Sequence, residues 1–254
     1  MSFSGDELTR YARHIVLREF GGAGQARLKA ATVAVVGAGG IGSPAVQYLA
    51  AAGVGTLRLI DDDRVDVSNL QRQTIFRTED AGAPKVEAAR AAAGWLNPHV
   101  EVEAHAVRIN AENAAALIEG ADAVVDGSDN FATRLGVADA ALALRVPLVS
   151  AAVAQFEGQL AVYRGWEPAL PCYRCFVGAA PDREAGSCAE DGVLGPAAGV
   201  LGTLAAVEAV RAVAPFGEDP AGRLLLVDLL AGRFRTLRLP KDPGCPACGA
   251  ASAD

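Results

Sequence analysis

The chain has 254 residues, 51% hydrophobic and 21% charged, with 28 Gly and 13 Pro; it can bury a full core without disulfide staples, and disorder, collagen and coiled coil are excluded. Thirty acidic against 23 basic side chains leave a formal net charge of -7, and no run of Lys or Arg stands ready to neutralise a row of phosphodiesters, so nucleic acid is not an expected partner. The segment from Met1 to Arg10 is polar and carries acid early, unlike a secretory signal, and a cytoplasmic location is expected.

Ser4 with Glu7 forms a capping-box signature, and Leu8, Tyr11 and Ile15 follow at helical spacing, so a helix opens the chain. From Ala30 to Leu57 there is no charge, which is long enough to suggest a membrane span. Gly37, Gly39, Gly40, Gly42 and Pro44 favour a turn in the middle of it, so no span is expected. Instead Thr32 to Val36 reads as a strand, Gly37 to Gly42 as a turn, Ala45 to Ala52 as a helix closing on Gly53, and Thr56 to Ile60 as a second strand ending in Asp61-Asp62-Asp63. The alternation continues with a helix from Pro84 to about Leu96, a strand near Val100 to Val107, and a helix capped by Asn110. A strand at Ala123 to Asp126, a helix from Phe131 to Leu144 and a strand at Pro147 to Ala152 follow. Such alternation predicts a mostly parallel sheet covered by helices.

After about residue 155 the rhythm changes: a strand at Gln159 to Arg164, a cysteine-containing loop over 170–190, an apolar helix from Ala197 to Ala214, and a hairpin of Arg223 to Leu229 with Phe234 to Leu239 around Ala231-Gly232. These predict antiparallel strands added to the same sheet. Without a Pro/Ser-rich linker or an internal repeat, one domain is expected across 1–254.

Gly37-x-Gly39-x-x-Gly42, set between a strand and a helix, lets backbone approach a phosphate, and Asp61 at the end of the next strand can accept from a ribose hydroxyl. Taken alone this says nucleotide, most commonly NAD, or else a turn that serves only packing. Ser68-Asn69-Leu70-Gln71-Arg72 and Lys85 add two cations and two amides, for which a dehydrogenase has little use at that place. Asp126-Gly127-Ser128-Asp129-Asn130 lies at the C-terminal end of a strand, at the sheet edge where ligands bind; an acid there can hold Mg2+, and Asp129 or Asn130 can cap the next helix. Cys172-x-x-Cys175 and Cys245-x-x-Cys248 supply four thiolates, a closed tetrahedral shell for structural zinc, with redox or iron–sulfur use as alternatives. Cys188 is left over in a polar, glycine-flanked loop, and His14, His99 and His105 are scattered, which disfavours a triad hydrolase.

Taken in order, Arg10-Tyr-x-Arg13, the glycine turn, Asp61, Ser68-Asn-Leu-Gln-Arg72, Pro84-Lys85, Asp126-x-Ser-Asp-Asn130 and both cysteine pairs resemble the MoeB/ThiF/HesA adenylyltransferases, relatives of the ubiquitin-activating enzymes, from about Asp6 to Gly249. The likeness is nearest to the molybdopterin-synthase branch of that family. It implies a Rossmann-like α/β fold, a homodimer, structural zinc, and ATP-dependent adenylation of the C-terminal Gly-Gly of a small ubiquitin-fold sulfur carrier. Its nucleotide-binding part would cover about 30–155 and its carrier and zinc part about 156–249. Gly37, Gly39, Gly40, Gly42, Asp61, Ser68, Asn69, Leu70, Gln71, Arg72, Lys85, Asp129 and Asn130 would then line the ATP site, with Asp61 on the ribose and Asp129 on Mg2+. Arg13 would reach the partner subunit's ATP, and Cys188 matches a position that some relatives link covalently to the carrier. His14 departs from the Gln common after the motif arginine, and the chain stops soon after Cys248, so sulfur is expected from a separate sulfurtransferase or cysteine desulfurase. An NAD-dependent oxidoreductase and a catalytically inactive nucleotide-binding scaffold are the alternatives.

Overall fold

The structure, a computed structural model, describes residues 2–178 and 192–249. Eight strands form one sheet in the order β3-β2-β1-β4-β5-β6-β7-β8. The first five are β1 (Thr32–Val36), β2 (Thr56–Ile60), β3 (Glu101–His105), β4 (Ala123–Asp126) and β5 (Leu148–Ala154), joined in parallel. β6 (Glu157–Tyr163), β7 (Arg223–Asp228) and β8 (Arg233–Arg238) continue the sheet antiparallel, as the change of rhythm predicts.

The parallel strands are apolar on both faces because helices cover both. Along β1, Val33 and Val35 face one core, with Leu49 of α3 (Gly42–Ala52), Val86 of α4 (Lys85–Leu96) and Leu201 of the long helix Gly195–Val213. Ala34 and Val36 face the other, with Ile118 of α5 (Ala114–Ile118) and Val137 of α6 (Phe131–Leu144). The charge-free stretch Ala30 to Leu57 is thus strand, turn and helix rather than one span. Gly195–Val213 is also long and apolar enough to cross a membrane, but Ala197, Leu201, Ala205 and Ala209 are buried on the sheet beside α3.

Two elements differ from the sequence reading. Helix α2 (Gly21–Ala30) follows α1 (Gly5–Ile15), although three of its first four residues are glycine. Packing overrides propensity there: a Cβ on Gly24 would sit 2.8 Å from the Phe20 ring, Leu28 is fully buried, and the buried Gln25 donates from Nε2 to Ala52 O at 2.8 Å and meets His14 Nδ1 at 3.0 Å. The helix expected from Asn110 begins only at Ala114, because the Asn110 side chain accepts from the N–H groups of Glu112 and Asn113 and closes a turn instead.

The capping box is formed: Glu7 N–H donates to Ser4 Oγ and Ser4 N–H to Glu7 Oε2, while Lys29 of α2 lies 2.7 Å from Glu7 Oε1. Lys29, then the Ser4 N–H, hold the Glu7 carboxyl down from 4.5 to about 2. A folded-state pKa below the unfolded one stabilises above about pH 4.5 and is lost as pH falls toward 2. Glu7→Gln is therefore expected to lower the thermal midpoint at pH 7 by roughly 2–4 °C, the shift about 1 kcal/mol produces in a chain of this size. Paired melts should show that gap closing from about pH 4.5 downward; a gap unchanged at pH 2.5 would assign the effect to shape rather than charge.

Candidate active site

The chain leaves β1 for β2 and β3 on one side and returns to β4 on the other, so a crevice opens where β1 and β4 diverge. Register puts Val36 beside both Ile60 and Asp126, which brings Gly37, Asp61 and Gly127 to one edge of the sheet. A cavity of about 520 Å3 lies there. Its wall includes Gly37, Gly39, Gly40, Asp61, Asn69, Arg72, Lys85, Asp129 and Asn130 of the residues singled out by sequence.

Two glycines have clear steric reasons. Gly37 adopts a φ of +82°, and a Cβ on Gly42 would lie 1.8 Å from Gly37 O, so only glycine lets α3 start so close to β1. No side chain caps α3, whose N-terminus opens on the turn. Asp61 Oδ2 accepts from Ala38 N–H at 2.7 Å and Oδ1 from Asp63 N–H at 2.8 Å. Burial pushes the Asp61 carboxyl up, opposed by Lys85 and by these two N–H groups.

Lys85, at the start of α4, is 5% exposed, and its Nζ sits 2.8 Å from Asp63 Oδ2. Arg72 donates to Asn69 Oδ1 at 3.2 Å. At the end of β4 the capping question resolves in favour of Asn130, whose Oδ1 accepts from Thr133 N–H at 2.9 Å. Asp129 is exposed at the cavity edge and makes no hydrogen bond or ion pair among the described residues, so its carboxylate is uncommitted there.

Some sequence-named residues do not line the cavity. Gly42 serves helix packing. Ser68 Oγ donates to Asp66 Oδ1 at 2.6 Å, Leu70 packs on the core, and the Gln71 carbonyl lies where a Cβ on Gly195 would come within 2.1 Å, so these three shape the loop that presents Asn69 and Arg72. Arg13 is exposed on the last turn of α1, outside this cavity. Its motif neighbours are structural: Arg10 donates to Leu96 O, and Tyr11 Oη accepts from the buried Asn97 amide at 2.8 Å, pinning α1 to the end of α4. Cys188 lies outside the described residues.

Sequence reasoning missed Asp63, Gln73 and Arg134, which also line the cavity. Gln73 Oε1 is buried with no hydrogen-bond partner among the described residues. A signal for Gln73 existed, since it directly follows Arg72; Arg134 carried none, being one arginine in a predicted helix.

The four cysteines converge. Helix α7 (Tyr173–Val177) starts at Cys172, and the Sγ–Sγ separations are 3.8 Å for Cys172–Cys175, 3.5 Å for Cys172–Cys245 and 3.4 Å for Cys175–Cys248. A tetrahedron with metal–sulfur bonds of 2.3 Å has an edge of about 3.8 Å, so the set fits a tetrahedral thiophilic cation. Burial pushes the thiols of Cys172 and Cys175 up, and four anions so close need a cation between them.

Comparison with known proteins agrees with this geometry. A sulfur carrier protein adenylyltransferase from Thermus thermophilus is 48% identical, the match covering 98% of this chain and 93% of that one. The SAMP-activating enzyme E1 of Haloferax volcanii is 44% identical over 100% of this chain and 93% of its own length. Of the adenylyltransferase and sulfurtransferase MOCS3 of Drosophila yakuba, 43% identical, the match covers 54%. Among solved structures, Escherichia coli MccB shares the fold with a TM-score of 0.83 at 22% identity, over 98% of this chain and 74% of that one. The match to the ThiF family runs from residue 11 to residue 247, and the chain belongs to that family.

Proposed function

We propose that the protein is an adenylyltransferase that uses ATP to activate the C-terminal glycine of a small ubiquitin-fold sulfur-carrier protein. The observation that carries this reading is the convergence of Arg72, Lys85 and Asp129 with Asp61 around one glycine turn, in a chain 48% identical to a sulfur carrier protein adenylyltransferase. Gly37, Gly39 and Gly40 would receive the phosphates, and Asp61 the ribose. Asp129, a free carboxylate, suits Mg2+, whose chemistry would be to neutralise charge on the phosphates. The carrier's carboxylate attacks the α-phosphate; an acyl-adenylate forms and pyrophosphate leaves. Positioning and charge from Arg72 and Lys85 supply the rate, and no covalent bond to the enzyme is required. A nicotinamide dehydrogenase is disfavoured because four cations, Arg72, Lys85, Arg108 and Arg134, line the cavity.

The test is pyrophosphate exchange into ATP, expected only when a carrier ending in Gly-Gly is added. Exchange absent with molybdopterin-, thiamine- and tRNA-thiolation-type carriers alike, in protein that binds ATP, would support the inactive scaffold instead.

The same reading holds the chain as one cytoplasmic domain, nucleotide-binding over about 30–155 and carrier- and zinc-binding over about 156–249, working as a homodimer. Exposed Val16 and Leu17 beside Arg13 support a partner on that face. Sulfur would come from a sulfurtransferase or cysteine desulfurase.

Zinc is the proposed occupant of the cysteine cluster. Binding in small zinc peptides amounts to roughly 10 kcal/mol, so Cys172→Ser is expected to release the metal and loosen α7 and the C-terminal segment, seen as faster proteolysis there. Elemental analysis should give about one zinc per subunit. Metal-free protein purified without chelator would remove the assignment.

A further inference from the structure

Arg134 is 8% exposed, an unusual place for a guanidinium unless its donors are used. It stands in the first turn of α6, and its Nη2 donates to Ala151 O at 2.9 Å and to Ser128 O, while Nη1 lies 3.3 Å from the buried Ser150 Oγ. Ser128 is held from its other side by Asp126, whose Oδ1 accepts from Ser128 N–H at 3.0 Å and from Ser128 Oγ at 2.6 Å. The turn carrying Asp129 is therefore gripped at donor, hydroxyl and carbonyl, and among the described residues only Arg134 holds the carbonyl side.

Tyr173, 5% exposed and on α7 between two of the cysteines, lies near the same guanidinium, whose charge opposes the upward push of burial on its hydroxyl. That helix is docked independently. Arg174 makes a two-pronged pair with Asp139 of α6, both contacts 2.7 Å, and the Tyr173 ring meets Tyr163 of β6 edge-on at 5.5 Å.

We propose that Arg134 is a positioning residue for the nucleotide site: anchored on Ala151 O and Ser150 Oγ of β5, it fixes the Ser128 carbonyl and so aims the Asp129 carboxylate at the cation bound with ATP. The inference rests on the nucleotide reading given above. It predicts that Arg134 acts on ATP through the metal. Direct phosphate contact is not its role, because both terminal nitrogens are already committed to protein oxygens.

Titration calorimetry with MgATP, and with ATP in EDTA, on wild type, Arg134→Lys and Ser128→Ala tests this. Lys keeps the charge but not the fork that reaches three oxygens. Arg134→Lys is expected to weaken MgATP by about tenfold or more, the usual effect of losing a group that orients a metal ligand, while metal-free ATP changes little. Ser128→Ala, which removes the hydroxyl that holds the same turn to Asp126, should weaken MgATP in the same sense by roughly threefold, one hydrogen bond's worth. MgATP affinity unchanged in Arg134→Lys, or MgATP and metal-free ATP weakened alike, overturns the proposal. If Arg134→Lys does not fold, Ser128→Ala decides: wild-type MgATP affinity there overturns it. Failure of the wild type to bind ATP at all would instead overturn the nucleotide reading, and wild-type binding without exchange would overturn adenylation while leaving the Arg134 measurement decisive.

Discussion

Lys85→Ala and Asp129→Ala are each expected to cut carrier-dependent pyrophosphate exchange by about a hundredfold or more, the few kcal/mol that a charged contact to a developing phosphate charge supplies in a low-dielectric site. Lys85 is nearly buried and, among the described residues, its Nζ is held by Asp63, itself largely exposed, so the ammonium is largely desolvated in the wall of the cavity that also holds the glycine turn. Asp129 has the opposite character: it is exposed at the cavity edge and makes no hydrogen bond or ion pair among the described residues, which suits a cation. The two variants should therefore differ in their Mg2+ dependence. Excess Mg2+ is expected to recover part of the Asp129→Ala loss, and none of the Lys85→Ala loss. Wild-type exchange in both variants would show that the cavity is not where adenylation occurs.

How far the sequence discloses this site follows from where each interaction lives. Strands β1, β2 and β4 are charge-free or nearly so and bounded by glycine or acid, and their limits in the structure are those expected from Thr32–Val36, Thr56–Ile60 and Ala123–Asp126. The glycine turn and Asp61 are local, since the reason for each is a backbone shape or a strand end. Lys85 was visible through Pro84, which precedes the first turn of α4. Arg134 and Asp63 were not. Arg134 is functional only because α6 passes over the ends of β4 and β5, and nothing in Phe131 to Leu144 distinguishes its arginine from a solvated one. Of Asp61, Asp62 and Asp63, the sequence shows three acids in a row, whereas the structure separates a buried acceptor of backbone N–H groups from the one that holds Lys85. Helix α2 was hidden for a different reason: its glycines oppose helix formation, and the buried Gln25 and Leu28 that fix it find their partners on other elements. Long-range contacts, not local propensity, decide each of these.

Arg13 gives the sharpest test of the assembly. It is exposed on α1 and does not line the cavity of its own chain, so any part it plays in the reaction has to be played elsewhere. In a twofold dimer the same surface patch faces itself, and a residue outside one cavity can complete the other. On that arrangement Arg13→Ala is expected to be nearly inactive although its own cavity is intact, and Asp129→Ala to be nearly inactive for the reason given above. Mixed after subunit exchange, the two should regain activity, because in the heterodimer one cavity keeps its own Asp129 and receives the partner's intact arginine, while the other lacks both. Random pairing of equal amounts gives about half heterodimers with one good site of two, hence roughly a quarter of wild-type exchange. Differently tagged subunits would show that heterodimers have formed. Recovery near that level assigns Arg13 to the neighbouring site, and no recovery among proven heterodimers would place its effect within its own chain or remove it from the reaction.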